Sequence, residues 1–316
     1  MNSSEDVLAR DARTTTPKIG TVLINFNSGA DVRSCIESLQ QIDYERSLII
    51  CVDNGSTDGS RERLVKEFPE IVHVDNGGNL GFGAGMNTGI QRALELGCDY
   101  VFCFNSDTWV DDKRLFDRLL APFHEDEKMG ITGPVEYDFS GATLLYSGPR
   151  GLHKFELKVS GAAFFVSKRV FESVGLLDDR FFLGYEDQDL LLRAERNGYN
   201  VRIVPDARFM HKRSAFTAGH SRMMTYLEAR NEIVYYARHW DLPSFIRRVV
   251  IENCKRIPSS AISGMDDGRS DLFFALVRGV IRGISYLPRA KQPRSIPPFD
   301  PSRWMKKAGD DRSATT

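Results

Sequence analysis

The sequence has few cysteines and no long apolar run, and these absences exclude several classes of protein. Its five cysteines form no Cys-x-x-Cys pair, which argues against a zinc site and favours buried free thiols in a reducing compartment. The best candidate for the ~20-residue apolar run that a membrane span needs, residues 272–287, contains Arg278 and Arg282. The first residues are polar where a signal peptide would be apolar. We therefore expect a cytoplasmic protein.

The chain also lacks an excess of charge of either sign, because its formal net charge is −1. Overall electrostatics therefore favour no particular class of partner. Basic residues are nevertheless concentrated late in the chain, where residues 245–307 contain thirteen Lys and Arg against five Asp and Glu. No stacking motif accompanies this basic region, so we expect no nucleic-acid binding.

From residue 19 onward, short apolar runs alternate with segments whose apolar residues have helical spacing. Such repeats predict an α/β fold, with a mostly parallel, Rossmann-like sheet flanked by helices and with ligands at the carboxyl ends of its strands. The predicted strands are Ile19–Asn25, Ser47–Val52, Ile71–Val74 and Tyr100–Phe104, and the predicted helices are Asp31–Gln41, Ser60–Phe68 and Ala84–Leu96.

Beyond residue 130 the pattern becomes less regular and ends in helices. We predict loops or antiparallel ribbon at 133–151, strands at 161–167 and 199–204, and helices at 168–174, 187–197, 226–240, 245–255 and 271–287. This divides the chain into a disordered leader (1–18), an α/β domain (19–225) and a C-terminal helical region (226–316) with a Pro-rich basic tail.

Polar clusters follow three of the predicted strands and should lie at one edge of the sheet. They are Asn25–Ser28, Asp53–Gly59 and Asn105–Asp107. Asp53 could accept a hydrogen bond from a pyrimidine N–H, or it could cap its own turn. The carboxylate of Asp107 suits a divalent metal that bridges two phosphates, although Asn-Ser-Asp also forms a simple turn.

Two further segments have residues suited to chemistry. Asn79–Asn87 is a glycine-dense turn that is neither a dinucleotide fingerprint nor a P-loop, so it either lets the backbone approach a diphosphate or serves packing alone. The carboxylates in Glu186–Asp189 follow an aromatic run and open a helix. They are candidates for a tuned general base, although the helix dipole alone favours acids there.

His211 and Lys212 follow the last predicted strand. A lone histidine is most often structural, and His211 becomes a candidate metal or phosphate ligand only together with Asp107. Lys212, with Arg213 and Arg222, could neutralise a diphosphate or could be solvated surface charge.

Taken in order, these segments resemble the family 2 glycosyltransferases of the GT-A fold, most closely a bacterial rhamnosyltransferase-like subgroup. The resemblance spans about residues 19–240 and rests on six motifs. They are VLINFN (22–27), VDNGSTDGS (52–60), NLGFGAGMN (79–87), FNSDT (104–108), FLGYEDQDL (182–190) and His211.

The resemblance implies an inverting transfer of a sugar from a nucleoside-diphosphate sugar, with dTDP-rhamnose favoured and UDP-sugars open. It places Asp187 as the catalytic base beside Glu186, and Asp107 and His211 as ligands of Mg²⁺ or Mn²⁺. The first acid of the D-x-D element is here an amide, Asn105, as it also is in many relatives, and this leaves fewer anionic ligands. The implied donor-binding residues are Asn25, Asn27, Asp53, Ser56, Asn79, Gly81, Gly83, Asn87, Asn105 and Lys212.

The acceptor implied is a cell-surface glycan or a lipid-linked sugar, so the basic C-terminal helices could lie on the inner face of the membrane. Packing against the catalytic domain or homodimerisation are the alternatives. Two other functions stay open. One is a non-catalytic binder of nucleotide sugars, and the other is a sugar nucleotidyltransferase, although the loop NFNSGAD lacks the basic residue usual in that class.

Overall fold

A computed structural model describes residues 16–141, 143–146, 159–213, 222–245 and 270–287. Several predicted features lie outside these residues: positions 1–15 of the leader, positions 246–255 of a predicted helix, Cys254, and the basic tail at 289–316. Within the described residues, Lys18 donates its backbone N–H to Asp99 at 2.7 Å, just before the first strand.

Nine strands in the described part of the chain form one mixed sheet. The order is β3-β2-β1-β4-β8-β6-β9-β5, with β7 paired to β6. The first four strands are parallel, as predicted, whereas β8 and β6 introduce antiparallel pairing. The strands are β1 Ile19–Asn25, β2 Ser47–Asp53, β3 Val72–Asp75, β4 Tyr100–Phe104, β5 Thr108–Trp109, β6 Met129–Asp138, β7 Leu144–Tyr146, β8 Ala163–Ser167 and β9 Asn200–His211.

Helices connect and flank these strands. Those with described bounds are α1 Gly29–Leu39, α2 Ser60–Glu67, α3 Phe82–Glu95, α4 Leu115–Glu125, α5 Lys168–Val174, α6 Glu186–Arg196, α7 Arg222–His239, α8 Leu242–Phe245 and α9 Ser270–Ser285. The sequence analysis assigned no element to α4, although its buried Leu115, Leu119 and Leu120 have helical spacing. It also ended β9 seven residues early, at 204 rather than 211, because pairing with β6 carries this strand through Pro205 and Asp206.

The chain divides into two compact units. The first comprises Met1–Gly77, Met86–Leu176 and Leu191–Lys212, and the second comprises Gly78–Gly85, Leu177–Leu190 and Arg213–Thr316. The whole sheet therefore belongs to the first unit. The domain boundaries read from the sequence stay a prediction.

The core of the first unit is built on aromatic side chains from the middle of the sheet. Phe102 and Phe104 stack with ring centroids 4.7 Å apart, and Phe116 of α4 meets Phe102 edge-on at 5.9 Å. Close packing on the other face depends on Gly89 of α3, where an added Cβ would lie 2.1 Å from Val22. The carboxyl ends of β1 and β4 are thereby fixed by a rigid interior.

In the second unit, α7 and α9 pack closely because glycines line their contact. A Cβ on Gly279 would lie 2.5 Å from the carbonyl oxygen of Tyr226, and one on Gly283 would lie 2.8 Å from Cβ of Ile233. Tyr226, Leu227 and Ala275 are buried at this contact. Among the described helices, none is long and apolar enough to cross a membrane.

Candidate functional site

The carboxyl ends of β1 and β2 meet through a network of buried polar side chains. The parallel register places Asn25 opposite Asp53. The amide of Asn25 donates to Oδ1 of Asp53 at 2.8 Å and to the hydroxyl of Ser60 at 2.8 Å. Oδ2 of Asp53 accepts the backbone N–H groups of Gly55 and Ser56 at 3.1 and 2.9 Å. Asp53 therefore caps its own turn, and its contact with a nucleotide base stays a prediction.

Asn27 and Ser56 tie the loops after β1 and β2 together. The hydroxyl of Ser56 accepts the N–H of Asn27 at 3.1 Å, and Oδ1 of Asn27 accepts the N–H of Thr57 at 2.8 Å. Asn27 has a φ of 52°, a left-handed conformation that asparagine tolerates better than most residues. These two predicted donor-binding residues thus share one preformed loop edge.

Asp107 and His211 come together because β5 pairs with the end of β9. The register sets Thr108 opposite His211, and the N–H of Lys212 donates to the carbonyl of Asp107 at 3.0 Å. Nε2 of His211 lies 3.2 Å from Oδ1 of Asp107. The two predicted metal ligands are therefore neighbours, although they are separated by 104 residues in sequence.

The other ring nitrogen of His211 contacts Glu136, a residue the sequence analysis missed. Nδ1 of His211 lies 2.8 Å from Oε1 of Glu136, whose Oε2 accepts the hydroxyl of Ser160 at 2.7 Å. Burial lowers the pKa of His211, but the hydrogen bonds to Asp107 and Glu136 outweigh it and raise the pKa to about 9. In the sequence, Glu136 could have been noticed as an acid within the apolar run ITGPVEY.

Asp107 and His211 offer a divalent metal one carboxylate oxygen and one imidazole nitrogen. Within the described residues, no group of three or more His, Cys, Asp or Glu side chains is arranged to hold a metal ion. Close by in sequence, Oδ1 of Asn105 is buried without a hydrogen-bond partner in the described part of the chain. The ammonium of Lys212 instead pairs with Asp31 at 2.8 Å.

The glycine-dense turn belongs to the second unit, where it packs against the segment before α6. Gly81 has a φ of 90°, and an added Cβ would lie 2.5 Å from the ring of Phe182. The N–H of Phe82 donates to the carbonyl of Phe182 at 2.6 Å. Packing thus accounts for Gly81, and a Cβ on Gly83 would likewise meet the carbonyl of Asp178 at 3.4 Å. A donor contact for this turn stays a prediction.

Two other predicted donor residues lie around that turn. Oδ1 of Asn79 accepts the N–H of Gly81 at 2.9 Å and so shapes the turn. Asn87 lies further along α3 and belongs to the first unit.

We call residues Phe181–Asp187 the base loop, because they lead into the acidic start of α6. Phe182, Gly184 and Tyr185 have positive φ angles of 67°, 84° and 77°. Such a conformation costs a non-glycine residue roughly 1–3 kcal/mol, so the surrounding structure must hold it. The backbone of the base loop is therefore strongly constrained.

The carboxylates at the start of α6 have different environments. Glu186 is 4% exposed, and its Oε2 has no hydrogen-bond partner among the described residues. Burial, followed by the charge of Asp187, raises the pKa of Glu186 to about 8. Asp187 is partly exposed, and desolvation raises its pKa as well. Asp189 is fully buried and meets Arg238 at 2.9 Å and His239 at 2.8 Å, whereas a role for it separate from that of Asp187 stays a prediction.

The predicted residues thus fall into three groups. In the first unit, one group joins the ends of β1 and β2, and a second joins Asp107, His211 and the backbone of Lys212. In the second unit, the glycine turn and the base loop form the third group. The expected gathering of polar clusters at the carboxyl ends of β1, β2 and β4 is confirmed.

Comparison with known proteins shows which family this chain is similar to. Residues 21–167 match the family model for Glycosyl transferase family 2. The chain is 25% identical over 255 residues to the dTDP-rhamnosyl transferase RfbF of Shigella flexneri, an alignment that covers 73% of this chain and 84% of that protein. It is also 25% identical over 245 residues to the N-acetylglucosaminyl-diphospho-decaprenol L-rhamnosyltransferase of Mycobacterium tuberculosis, with 64% and 78% of the two chains covered.

The fold agrees with that of a solved glycosyltransferase. The mannosyltransferase PcManGT from Pyrobaculum calidifontis, solved in complex with GDP-Man and Mn2+, superposes with a TM-score of 0.55 at 14% identity. The superposition covers 86% of this chain and 88% of that chain. Residues 21–167 are thus similar to the family 2 glycosyltransferases, and the chain shares the GT-A fold of that solved enzyme.

Proposed function

We propose that this protein is an inverting glycosyltransferase that moves a sugar from a nucleoside-diphosphate sugar to a hydroxyl of a cell-surface glycan or lipid-linked acceptor. The names of the two rhamnosyltransferase relatives favour rhamnose and a dTDP donor, and UDP-sugars are the alternative. One structural observation carries the proposal. Asp107 and His211 converge 3.2 Å apart beside the strand ends where an α/β sheet binds its ligands.

In the proposed reaction, Asp187 is the catalytic base. Its carboxylate accepts the proton of the acceptor hydroxyl, while the acceptor oxygen attacks the anomeric carbon from the side opposite the diphosphate. The bond between that carbon and the phosphate oxygen breaks, and its electron pair leaves with the nucleoside diphosphate. Desolvation raises the pKa of Asp187 and makes it a stronger base than a solvated aspartate.

Asp107 and His211 fit a divalent cation, Mg²⁺ or Mn²⁺, provided that His211 releases the proton that its raised pKa retains. Such a cation, when bound, would offset the charge on the departing diphosphate. Glu136 holds the ring of His211 in place from Nδ1, which leaves Nε2 to face Asp107. Carboxylate–histidine pairs of this kind support metal ligands in many proteins. Because two side chains are too few for a closed metal site, donor phosphates and water must supply the remaining ligands.

This arrangement predicts that metal and nucleotide bind together. We expect dTDP to bind tightly only when Mn²⁺ is present, with UDP and GDP as the alternatives to dTDP. Mn²⁺ without a nucleotide should bind weakly. Asp107→Ala should abolish the metal-dependent component, and Glu136→Gln should weaken it about 10–100-fold by freeing the ring of His211. Calorimetric titration of each nucleotide with and without Mn²⁺ measures both effects.

Asp111→Ala is the matched control for that titration. Asp111 is a nearby aspartate whose carboxylate pairs with Arg208 at 2.7 Å, so its loss should leave nucleotide binding unchanged. Failure of every nucleotide to bind the wild type would refute the proposed function. Binding without any sugar transfer across a panel of donors and acceptors would instead indicate a non-catalytic binder.

The assignment of the base is tested by Asp187→Asn, which removes the proton acceptor with little change in shape. We expect turnover to fall about 10²–10⁴-fold while the affinity for the nucleotide stays within about two-fold. Gln188→Ala, a change at the next residue, should keep turnover. Initial rates with a radiolabelled donor give both values, and an Asp187→Asn variant with normal turnover would exclude this residue as the base.

Glu186 should make folding stability fall as pH rises. Its folded pKa of about 8 exceeds the ordinary 4.5, so the folded state keeps a proton that the unfolded state releases between these values. This contribution is fully present below 4.5 and is lost as pH rises through 8, at up to about 1.4 kcal/mol per pH unit. Urea unfolding at pH 5 to 8 should show this loss in the wild type, and Glu186→Gln should flatten it. Equal slopes in the two proteins would disprove the assignment.

We also propose that the protein contacts the inner face of the membrane through α9. Phe274, Ile281 and Ile284 are 63%, 62% and 52% exposed, and Arg278 and Arg282 are exposed beside them. Apolar side chains flanked by arginines are typical of a helix that lies in an anionic lipid surface. The acceptor named in the mycobacterial relative is decaprenol-linked, which places that enzyme's substrate in a membrane.

Co-sedimentation with phosphatidylglycerol vesicles tests the membrane contact. We expect binding by the wild type at low salt, and loss of binding in the double variant Arg278→Glu and Arg282→Glu. The control, Arg33→Glu and Arg92→Glu, makes the same charge change on exposed helix positions of the first unit and should still bind. Wild-type protein that stays in the supernatant, but sediments as a homodimer in analytical ultracentrifugation, would favour the dimer contact instead.

A further inference from the structure

The segment before the catalytic aspartate is held in its strained conformation by side chains of α7. The amide of Asn231 donates to the carbonyl oxygens of Phe181, Leu183 and Gly184 at 2.9, 3.0 and 2.9 Å. The carbonyls of Leu183 and Gly184 belong to the stretch 182–185, in which three of four successive residues have positive φ, and Phe181 directly precedes it. The N–H of Leu183 also donates to the carbonyl of Phe181 at 2.8 Å, whereas Asn231 is the outside donor to the carbonyls of Leu183 and Gly184.

Arg230 fixes the orientation of the Asn231 side-chain amide and itself also donates hydrogen bonds to two backbone carbonyls. Its Nε donates to Oδ1 of Asn231 at 2.8 Å, which leaves the NH₂ group of Asn231 directed at the base loop. The Nη2 of Arg230 donates to the carbonyls of Arg180 and Phe181 at 2.9 and 2.8 Å. Asn231 is fully buried and Arg230 is 3% exposed, so both side chains are shielded from solvent.

Helix α7 also contacts the chain on the C-terminal side of Glu186 and Asp187. Arg238 and His239, two turns further along α7, contact the carboxylate of Asp189, which lies two residues beyond Asp187. Helix α7 therefore holds the chain both before and after Glu186 and Asp187. Neither acid is itself contacted by Asn231 or Arg230 in the hydrogen bonds described above.

We infer that Asn231 is a positioning residue for the catalytic base, acting through the carbonyls of the base loop. This inference rests on the proposed function, because it assigns Asn231 a role only if Asp187 acts on an acceptor. It also explains why an amide, rather than a carboxylate of the same shape, stands at position 231. A carboxylate there would face three carbonyl oxygens with no hydrogen to donate.

The test replaces the amide with its isostere and with alanine, as Asn231→Asp and Asn231→Ala. Misplacement of a reacting group by about 1 Å reduces rate by up to about 100-fold. We therefore expect kcat to fall about 10–100-fold in both variants, with nucleotide affinity within about two-fold. Hydrogen exchange followed by mass spectrometry should become faster in a peptide that covers residues 181–187.

Ile233→Ala is the matched control, since Ile233 is buried on α7 and packs against Gly283 of α9 rather than against the base loop. It should lower the thermal midpoint like the Asn231 variants, while kcat and the exchange of residues 181–187 stay near wild type. An equal loss of kcat in Ile233→Ala, or unchanged exchange in the Asn231 variants, would overturn the inference. If the wild type transfers no sugar, the proposed function fails, but the exchange measurement still decides whether Asn231 holds the loop.

Discussion

The parallel register of β1 with β2 and β4 is the constraint on which the first unit depends. Parallel strands can be joined only by crossovers, so the loops after these strands must emerge at one edge. With Asn25 opposite Asp53, two polar side chains that are distant in sequence share one buried hydrogen bond of 2.8 Å. The aromatic core behind the sheet keeps that edge rigid, and the return of β9 through β5 adds His211 beside Asp107.

Much of this edge was predictable because it follows from local patterns. Apolar runs identified β1 and β4 with their observed bounds, and their parallel pairing followed from the repeated strand–helix pattern. The pairing of Asp107 with His211 was only an expectation from resemblance, since no spacing rule joins residues 104 positions apart. Glu136 could not be assigned, because an acid in a strand gains meaning only when its partner is known.

The second unit was less accessible to sequence reasoning, and for a different physical reason. The acids at the start of α6 were visible, but their environments depend on tertiary contacts that leave no local pattern. Asp189 pairs with Arg238 and His239, whereas Oε2 of Glu186 is buried without a hydrogen-bond partner in the described part of the chain and burial raises the pKa of Glu186. Two acids three residues apart on one helix thus have different electrostatic environments. The glycine turn also depends on tertiary contacts. Gly81 is required because the ring of Phe182 leaves no room for a Cβ there, and the local sequence does not show this.

The glycines of α9 restrict how this helix can move against α7. Because Gly279 and Gly283 leave no room for a side chain against Tyr226 and Ile233, α9 cannot slide along α7 by a residue without a steric clash. Any movement of α9 must therefore be shared by α7. The exposed apolar residues of α9 and the Asn231 amide that holds the backbone before Asp187 therefore belong to one tightly packed helix pair.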